Sequence, residues 1–505
     1  MSIDKKYDVV IIGSGLGGLL CANMLGMAGL KVCVLEKNRQ LGGNLQTFSR
    51  DKKIFDTGVH YIGGLAQGQT LYQIFEYVGI MKRLKLEKMD RCFDKIFIGN
   101  DPKLYGQVQG YDAFVRRLSA DFPGEEHNIR AYVQKVQQVC NSFPLYNLSL
   151  NNEEGETYLG NNESAEQVIA SFTANKKLRA VLAGNNLLYA GTQDVTPFHV
   201  HALITNSYIE SSWRCINGGS QIARLLAINI RKYGGDILRN TEIVALKEME
   251  GAISYAQTSN GDQIFGKRFI SNIHPAATLS LTKAPQVSKL YRKRITGLKQ
   301  TISSLSVYLV LKPKQVAYEK SNYYYHKEGK LWHLNDYDEQ TWPLGYGLYF
   351  TEDRANEGFA AAISILTPMR FEDVRQWSST YNRTGKEQWR GASYDLFKQQ
   401  KAEQLLRLVG ERLPHIVNNI EKFYVATPLT NRDYIGDAEG SMYGVQKDYR
   451  DPLQTMISPR TKIPNLFLTG QNLNLHGILG TALSAVLTCT MLLDDNSLVE
   501  KIKKA

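Results

Sequence analysis

The feature that most limits how this chain can fold lies in its first thirty-six residues. "YDVVII" (7–12) is a short, unbroken apolar run rich in β-branched residues, the pattern of a parallel strand buried on both faces. It leads into "GSGLGG", where Gly13, Gly15 and Gly18 satisfy G-x-G-x-x-G. "LGGLLCANMLGMAGL" (16–30) then carries Leu, Met and Ala at helical spacing, with Gly29 placed to end the helix. "KVCVLE" (31–36) reads as a second buried strand closing on Glu36. In this order Gly13 allows a tight turn, Gly15 lets backbone approach a pyrophosphate, and Gly18 lets helix and strand pack closely. The pyrophosphate rests on the helix N-terminus, whose free N–H groups and dipole favour anions. Glu36 is placed for ribose hydroxyls. A second anion there would be repelled, which excludes NADP at this site but neither FAD nor NAD.

The next residues favour FAD. Gly42 and Gly43 in "NRQLGGNLQTF" form a glycine pair just after the acidic strand end, a device by which many FAD enzymes bring the chain close to the pyrophosphate. Asn44 stands where such enzymes carry an arginine. Two distant segments have the same character. "WRCINGGSQIARLLAINIRKYGGDILRNTEIVALKEM" (213–249) runs Gly218-Gly219 into an amphipathic helix and two strand-like runs, and 251–275 alternates like antiparallel strands around the Asn260-Gly261 turn. "KIPNLFLTGQNLNLHGILGTALSAVLTC" (462–489) reads as a buried strand, a glycine-rich turn and a helix beginning near Gly480. The expected fold class is therefore α/β. A Rossmann-like FAD-binding domain of glutathione-reductase or amine-oxidase type is assembled from 1–99, 213–285 and 456–505. An α+β substrate-binding domain is built from 100–212 and 286–455.

These motifs resemble the flavin-dependent carotenoid (phytoene) desaturase superfamily. "FDTGVHYIGG" (55–64), "ATPLTNRDYIGDAEGSMYG" (426–444) and "LFLTGQNLNLHGILGTAL" (466–483) are similar to its retinol saturase branch. The resemblance covers the cofactor segments well and the middle of the chain by length and order. It implies that Gly13, Gly15, Gly18, Glu36, Gly42 and Gly43 hold adenosine and pyrophosphate. Gly63, Gly470, Gln471 and Gly480 would lie along the rest of the flavin. Most relatives carry an aspartate after the glycine equivalent to Gly470; Gln471 fits the saturase branch and offers an amide instead. The implied activity is FAD-dependent oxidation–reduction at carbon–carbon bonds of a polyene or isoprenoid lipid. Reduction of C=C is expected, with NAD(P)H a candidate electron donor. Two alternatives stay open: a phytoene-type desaturase running oxidatively, and a flavin-free isoprenoid-binding protein of the GDP-dissociation-inhibitor type.

Adding hydrogen to an isolated double bond requires a hydride and a proton, so an acid beside the flavin ring is expected. His60, Tyr61 and Tyr434 are the candidate catalytic residues, followed by Asp433 and His476. Asp56 is expected to tie backbone N–H groups of its own turn. The aromatic stretch 321–350 reads either as a channel lining for a long apolar substrate or as ordinary sheet with tyrosines on both faces.

Composition limits the alternatives. The chain has 505 residues, 43% apolar, too many for one ordinary core. Its formal charge of +11 favours anionic partners, with denser basic stretches at 81–91 and 289–299 that suit a solvated face or peripheral membrane contact. No nucleic-acid-binding module is recognisable. Six cysteines at scattered spacings suggest neither a disulfide framework nor a zinc cage, and no metal site is expected. The N-terminus lacks a signal-peptide pattern, and the longest apolar run, 478–493, is shorter than a membrane span. A cytoplasmic protein, peripheral to a membrane at most, is the expectation.

Overall fold

The structure, a computed structural model, describes residues 6–150, 163–383 and 388–505. The N-terminal strand Tyr7–Ile12 pairs in parallel with Val32–Leu35 on one side and with Gln263–Ser271 on the other. Asp236–Leu238 extends the sheet beyond Val32–Leu35, and Leu466–Leu468 adds in parallel beside Phe269–Ser271. Gln263–Ser271 does double duty, because its first residues also pair antiparallel with Ala252–Thr258, which in turn pairs with Ile243–Met249. One sheet thus draws strands from residues 7–35, 236–271 and 466–468.

The unbroken apolar runs have a direct cause. Val9, Ile11, Val32 and Val34 belong to one core cluster, while Val10, Ile12, Cys33 and Leu35 belong to a second one on the opposite face. On the first face lies helix Leu16–Met27, with helices Ser220–Lys232 and Gly477–Leu493 packed against it. That helix ends where expected: Leu30 N–H reaches Leu25 O at 3.0 Å across Gly29, whose φ of 83° is a conformation that glycine adopts without strain.

A second sheet runs in the order Ile420–Ala426, Ser303–Leu311, Ala360–Met369, Gly345–Glu352, Asn322–His326, Cys92–Ile98 and Tyr105–Val108. It is antiparallel except where Asn322–His326 meets Cys92–Ile98. The strand Cys92–Ile98 falls inside the span 1–99 assigned above to the cofactor half, yet it hydrogen-bonds into this sheet. The reason lies in its side chains: Phe93, Ile96 and Ile98 join the first core cluster, Phe97 packs in the core on the other face, and Asp94 pairs with Asn322. Helices Tyr111–Asp121, Glu126–Asn141 and Phe198–Glu210 bury the side of the sheet that carries Ile96 and Tyr324.

The stretch 321–350 contributes two of these strands, and its tyrosines do face both ways. Tyr324 and Tyr349 belong to the first core cluster, whereas Tyr323, Tyr325 and Tyr346 belong to the cluster behind the sheet. Among the described residues all six cysteines are free, no helix is long and apolar enough to cross a membrane, and no metal-ligating cluster of three or more His, Cys, Asp or Glu occurs.

Candidate active site

Glu36 ends the second strand and is buried. Its Oε2 accepts from the Ser14 backbone N–H at 3.0 Å and from the Ser14 hydroxyl at 2.6 Å, while Oε1 accepts from the Asn38 N–H at 2.9 Å. Ser14 also anchors the second glycine pair, since the Gly42 N–H lies 3.0 Å from Ser14 O and 3.2 Å from Ser14 Oγ. A single hydroxyl therefore joins the acid to both glycine turns. The sequence reading did not single out Ser14, although it is the variable position inside G-x-G.

Asn272 is the second residue missed. It follows the strand Gln263–Ser271, and its backbone N–H donates to Ile12 O at 2.8 Å. A Cβ at Gly15 would stand 2.7 Å from Asn272 Nδ2, and one at Gly17 or Gly470 would stand 2.6 or 2.7 Å from its Oδ1. Three bare glycines make room for this amide, which lines the cavity at the N-terminus of helix Leu16–Met27. Gly18 has the packing role expected of it: a Cβ there would lie 2.2 Å from Gly13 O.

The cavity holds about 440 Å³, within the usual range for a ligand site. Glu36, Lys37, Gly13, Gly15, Gly42 and Gly43 line one part of it. Another part is walled by His60, Tyr61, Tyr208, Tyr349, Tyr443 and Leu366. His60 stacks on Tyr349 with ring centroids 4.1 Å apart and planes within 5°. Burial first, and then the nearby Arg214 guanidinium, push the imidazole down to about 3. The imidazolium form of His60 is thereby disfavoured. Tyr61 is buried, and its Oη donates to Asp94 Oδ2 at 2.8 Å and shares a hydrogen with Tyr324 Oη at 2.8 Å.

The other expected residues are dispersed. Tyr434 lines the same cavity as His60, and its carbonyl accepts from Asn38 Nδ2 at 3.0 Å, which ties its backbone near Glu36. Asp433 is consumed in an ion cluster with Arg390 and Arg432 and accepts from Asn382 N–H at 2.6 Å. Asp56 reaches beyond its own turn: Oδ1 accepts from the Gly219 N–H at 2.7 Å, at the start of helix Ser220–Lys232, and burial pushes its carboxyl up to about 7. Gln471 lines the cavity with its Oε1 3.5 Å from Asn44 Nδ2. Gly63 and Gly480 line a smaller adjoining cavity of about 70 Å³. At Gly63 the missing side chain admits the Ser207 backbone, whose carbonyl carbon would be 2.7 Å from a Cβ. The final helix begins at Gly477, one turn earlier than expected, with His476 packed on Tyr443 at 4.6 Å between ring centroids.

The sequence pattern described as "Flavin containing amine oxidoreductase" matches residues 16–493 of the chain. The chain belongs to that family. It is an FAD-dependent oxidoreductase, and its residues fit that cofactor: Glu36 for a ribose, an open helix N-terminus over Gly13 and Gly15, and a glycine cradle around the Asn272 amide that added Cβ atoms would fill. All-trans-retinol 13,14-reductase of Danio rerio is 27% identical over 532 residues, covering 96% of this chain and 86% of that protein. Prolycopene isomerase 1 of an Oncidium hybrid cultivar is 22% identical over 510 residues, covering 96% of this chain and 83% of its own. A solved oxidoreductase from Methanosarcina mazei has the same fold, with a TM-score of 0.64 over 97% of this chain and 100% of its own at 15% identity.

Proposed function

We propose that this flavoenzyme adds hydrogen across a carbon–carbon double bond of a polyene or other isoprenoid lipid, as a saturase. The observation that carries the reading is the cavity, which takes in both the dinucleotide cradle and an aromatic and aliphatic chamber suited to a long apolar substrate. Relatives whose names refer to retinol and prolycopene support it.

Reduced FAD supplies the hydride when bound. The chain's residues do the rest. Glu36 would take the ribose hydroxyls, and the N-terminus of helix Leu16–Met27 and the Gly42-Gly43 turn would hold the pyrophosphate. Asn44, Asn272 and Gln471 offer amides to the polar chain beyond. Leu187, Leu188, Leu366 and Ile478 keep water from the reacting carbons. His60 holds the Tyr349 ring by stacking, and the proton comes from a tyrosine hydroxyl, with Tyr61 and Tyr349 in the wall.

A reduced nicotinamide as electron donor belongs to the same proposal; bleaching of the bound flavin by NADH or NADPH in the dark tests it. So does peripheral membrane contact, supported by the basic helix Lys289–Thr296. There Leu290 is 79% exposed, and Arg294 grips the Gln454 carbonyl at 2.7 Å beside Leu453, which is 62% exposed. Sedimentation with phosphatidylserine vesicles, and not with phosphatidylcholine vesicles, is expected.

The direction is tested by incubating the reduced holoenzyme with retinoids and carotenoids and weighing the product. A gain of two hydrogens is expected. A loss of two identifies a desaturase, and a purified chain that binds no flavin at all would place it with the lipid-binding proteins of this fold.

A further inference from the structure

The proton requires a source. Asp94 sits on strand Cys92–Ile98 with no exposed surface, directly opposite Asn322 of the parallel strand, whose Nδ2 donates to Asp94 Oδ1 at 2.9 Å. Its other oxygen, Oδ2, takes the Tyr61 hydroxyl. From Tyr61 the chain of hydroxyls continues to Tyr324 at 2.8 Å and from there to Tyr349 at 3.3 Å. Sheet geometry makes the last link possible. Tyr324 is paired with Gly347, so no side chain stands between it and Tyr349, two residues along on the same face. A Cβ at Gly347 would lie 2.5 Å from Tyr349 Oη. Tyr349 is the free end: among the described residues its hydroxyl has no hydrogen-bond partner but Tyr324, and its side chain lines the cavity against His60.

We propose that Asp94 is the proton store of this site, feeding Tyr349 through Tyr61 and Tyr324. The inference rests on the saturase reading above and names the source of its proton. In the step, the reduced flavin would act as its anion, giving a hydride with its two electrons to one carbon of the double bond and becoming neutral oxidised flavin, so the second hydrogen comes from the protein as a proton. The neighbouring carbon takes the proton of Tyr349 as the Tyr349 O–H bond breaks and a C–H bond forms. Tyr349 recovers a proton from Tyr324, Tyr324 from Tyr61, and Tyr61 from the Asp94 carboxyl, which ends ionised and is reprotonated from water.

Asp94 is suited to the task. Burial pushes its carboxyl up to about 7, against the opposing pull of Asn322, Tyr61 and the Arg214 guanidinium. The groups facing it are Tyr61, Tyr208, Tyr324, Tyr349, Asn185, Asn322, Arg214 of strand Ser212–Cys215, and Cys92 on its own strand. Arg214 is held off by its own acceptors, the carbonyls of Glu319 and Ser321 at 2.7 and 3.0 Å and Asn322 Oδ1 at 2.7 Å. It therefore makes no hydrogen bond to the carboxylate.

The test begins on flavin-free protein. Infrared spectra of the wild type are expected to show protonated-carboxyl absorption from Asp94 and Asp56 that disappears as pH rises through about 7, and the wild type minus Asp94→Asn difference is expected to isolate the Asp94 band. In holoenzyme, reoxidation of reduced flavin by a polyene is expected to slow above that pH in the wild type. It should be slower by about 100-fold and lose this pH dependence in Asp94→Asn. Tyr324→Phe, which cuts the chain but leaves both ends in place, should give the same slow, flattened profile even if Asp94→Asn folds poorly. An Asp94 without a protonated band at pH 6 overturns the proposal, as does a Tyr324→Phe enzyme with wild-type rate and profile. A wild-type band combined with no polyene oxidising the flavin overturns the saturase reading instead, and the relay with it.

Discussion

Replacing Glu36 by glutamine keeps the volume of the side chain and removes only its charge and one acceptor. Three N–H or O–H groups now point at the carboxylate: the Ser14 N–H and hydroxyl on Oε2 and the Asn38 N–H on Oε1. In the best arrangement the amide oxygen keeps the two Ser14 bonds, each weaker by about 1 kcal/mol once the charge is gone. The amide NH₂ then faces the Asn38 N–H, leaving a buried donor without an acceptor at about 2 kcal/mol. The total is about 4 kcal/mol. At about 2 cal/mol/K per residue over 505 residues, the unfolding entropy converts this to a fall in Tm of about 4 °C. Differential scanning of flavin-free protein measures that shift before any cofactor enters. Flavin titration should then show affinity reduced by at least about tenfold, because a ribose hydroxyl loses a charged acceptor. A Tm within about 1 °C of wild type together with unchanged flavin retention would refute the role assigned to Glu36.

The remaining predictions concern other parts of the molecule. His201, fully buried between the hydroxyls of Tyr132 at 2.7 Å and Tyr189 at 2.9 Å, is pushed down to about 3 by burial, so it stays neutral in the fold while the unfolded chain takes up a proton below about pH 6.5. Wild type should therefore lose about 2 kcal/mol relative to His201→Gln between pH 7.5 and pH 5, and a difference that is flat with pH in denaturant titrations would contradict this. His60→Ala should keep its flavin but slow reoxidation by substrate, since Tyr349 loses its stacking partner; full speed would make His60 a purely structural ring. The buried Lys447 amine donates to the carbonyls of Thr455, Asn472 and Leu473 at 2.8, 3.2 and 2.6 Å. Lys447→Met should lower Tm by several degrees and flavin retention with it, and a variant that holds flavin as wild type does would show that the 470–473 turn needs no such anchor.

The cofactor half was readable because its physics is local. A buried strand, a glycine turn and an acid eighteen residues past Gly18 are adjacent in the sequence, and the structure assembles them where the spacing puts them. The same locality exposed the final helix, with an error of one turn at its start. The reacting end was poorly readable for the opposite reason. Asp94 meets Tyr61 and Asn322 across 33 and 228 residues of sequence respectively, through strand pairings that no periodicity specifies. Nothing local in "CFDKIFI" marks Asp94 as buried. His60 attracted attention as a titratable residue in a glycine loop, and the burial that disfavours its charged form comes from Tyr349, a residue distant in sequence that stacks on it. Asp56 likewise reaches Gly219 across 163 residues rather than its own turn. Asn272 and Ser14 carried a weak signal, as small polar residues one and two positions after buried strands.

The central claim is that this cavity passes electrons from flavin to a carbon–carbon double bond. The most direct measurement is anaerobic stopped-flow of the photoreduced holoenzyme mixed with a panel of retinoids, carotenoids and unsaturated lipids. Return of the oxidised flavin absorption band with at least one polyene, in step with loss of that polyene's own conjugated absorption, is the predicted result. Reoxidation by oxygen or a quinone but by no polyene would contradict the account.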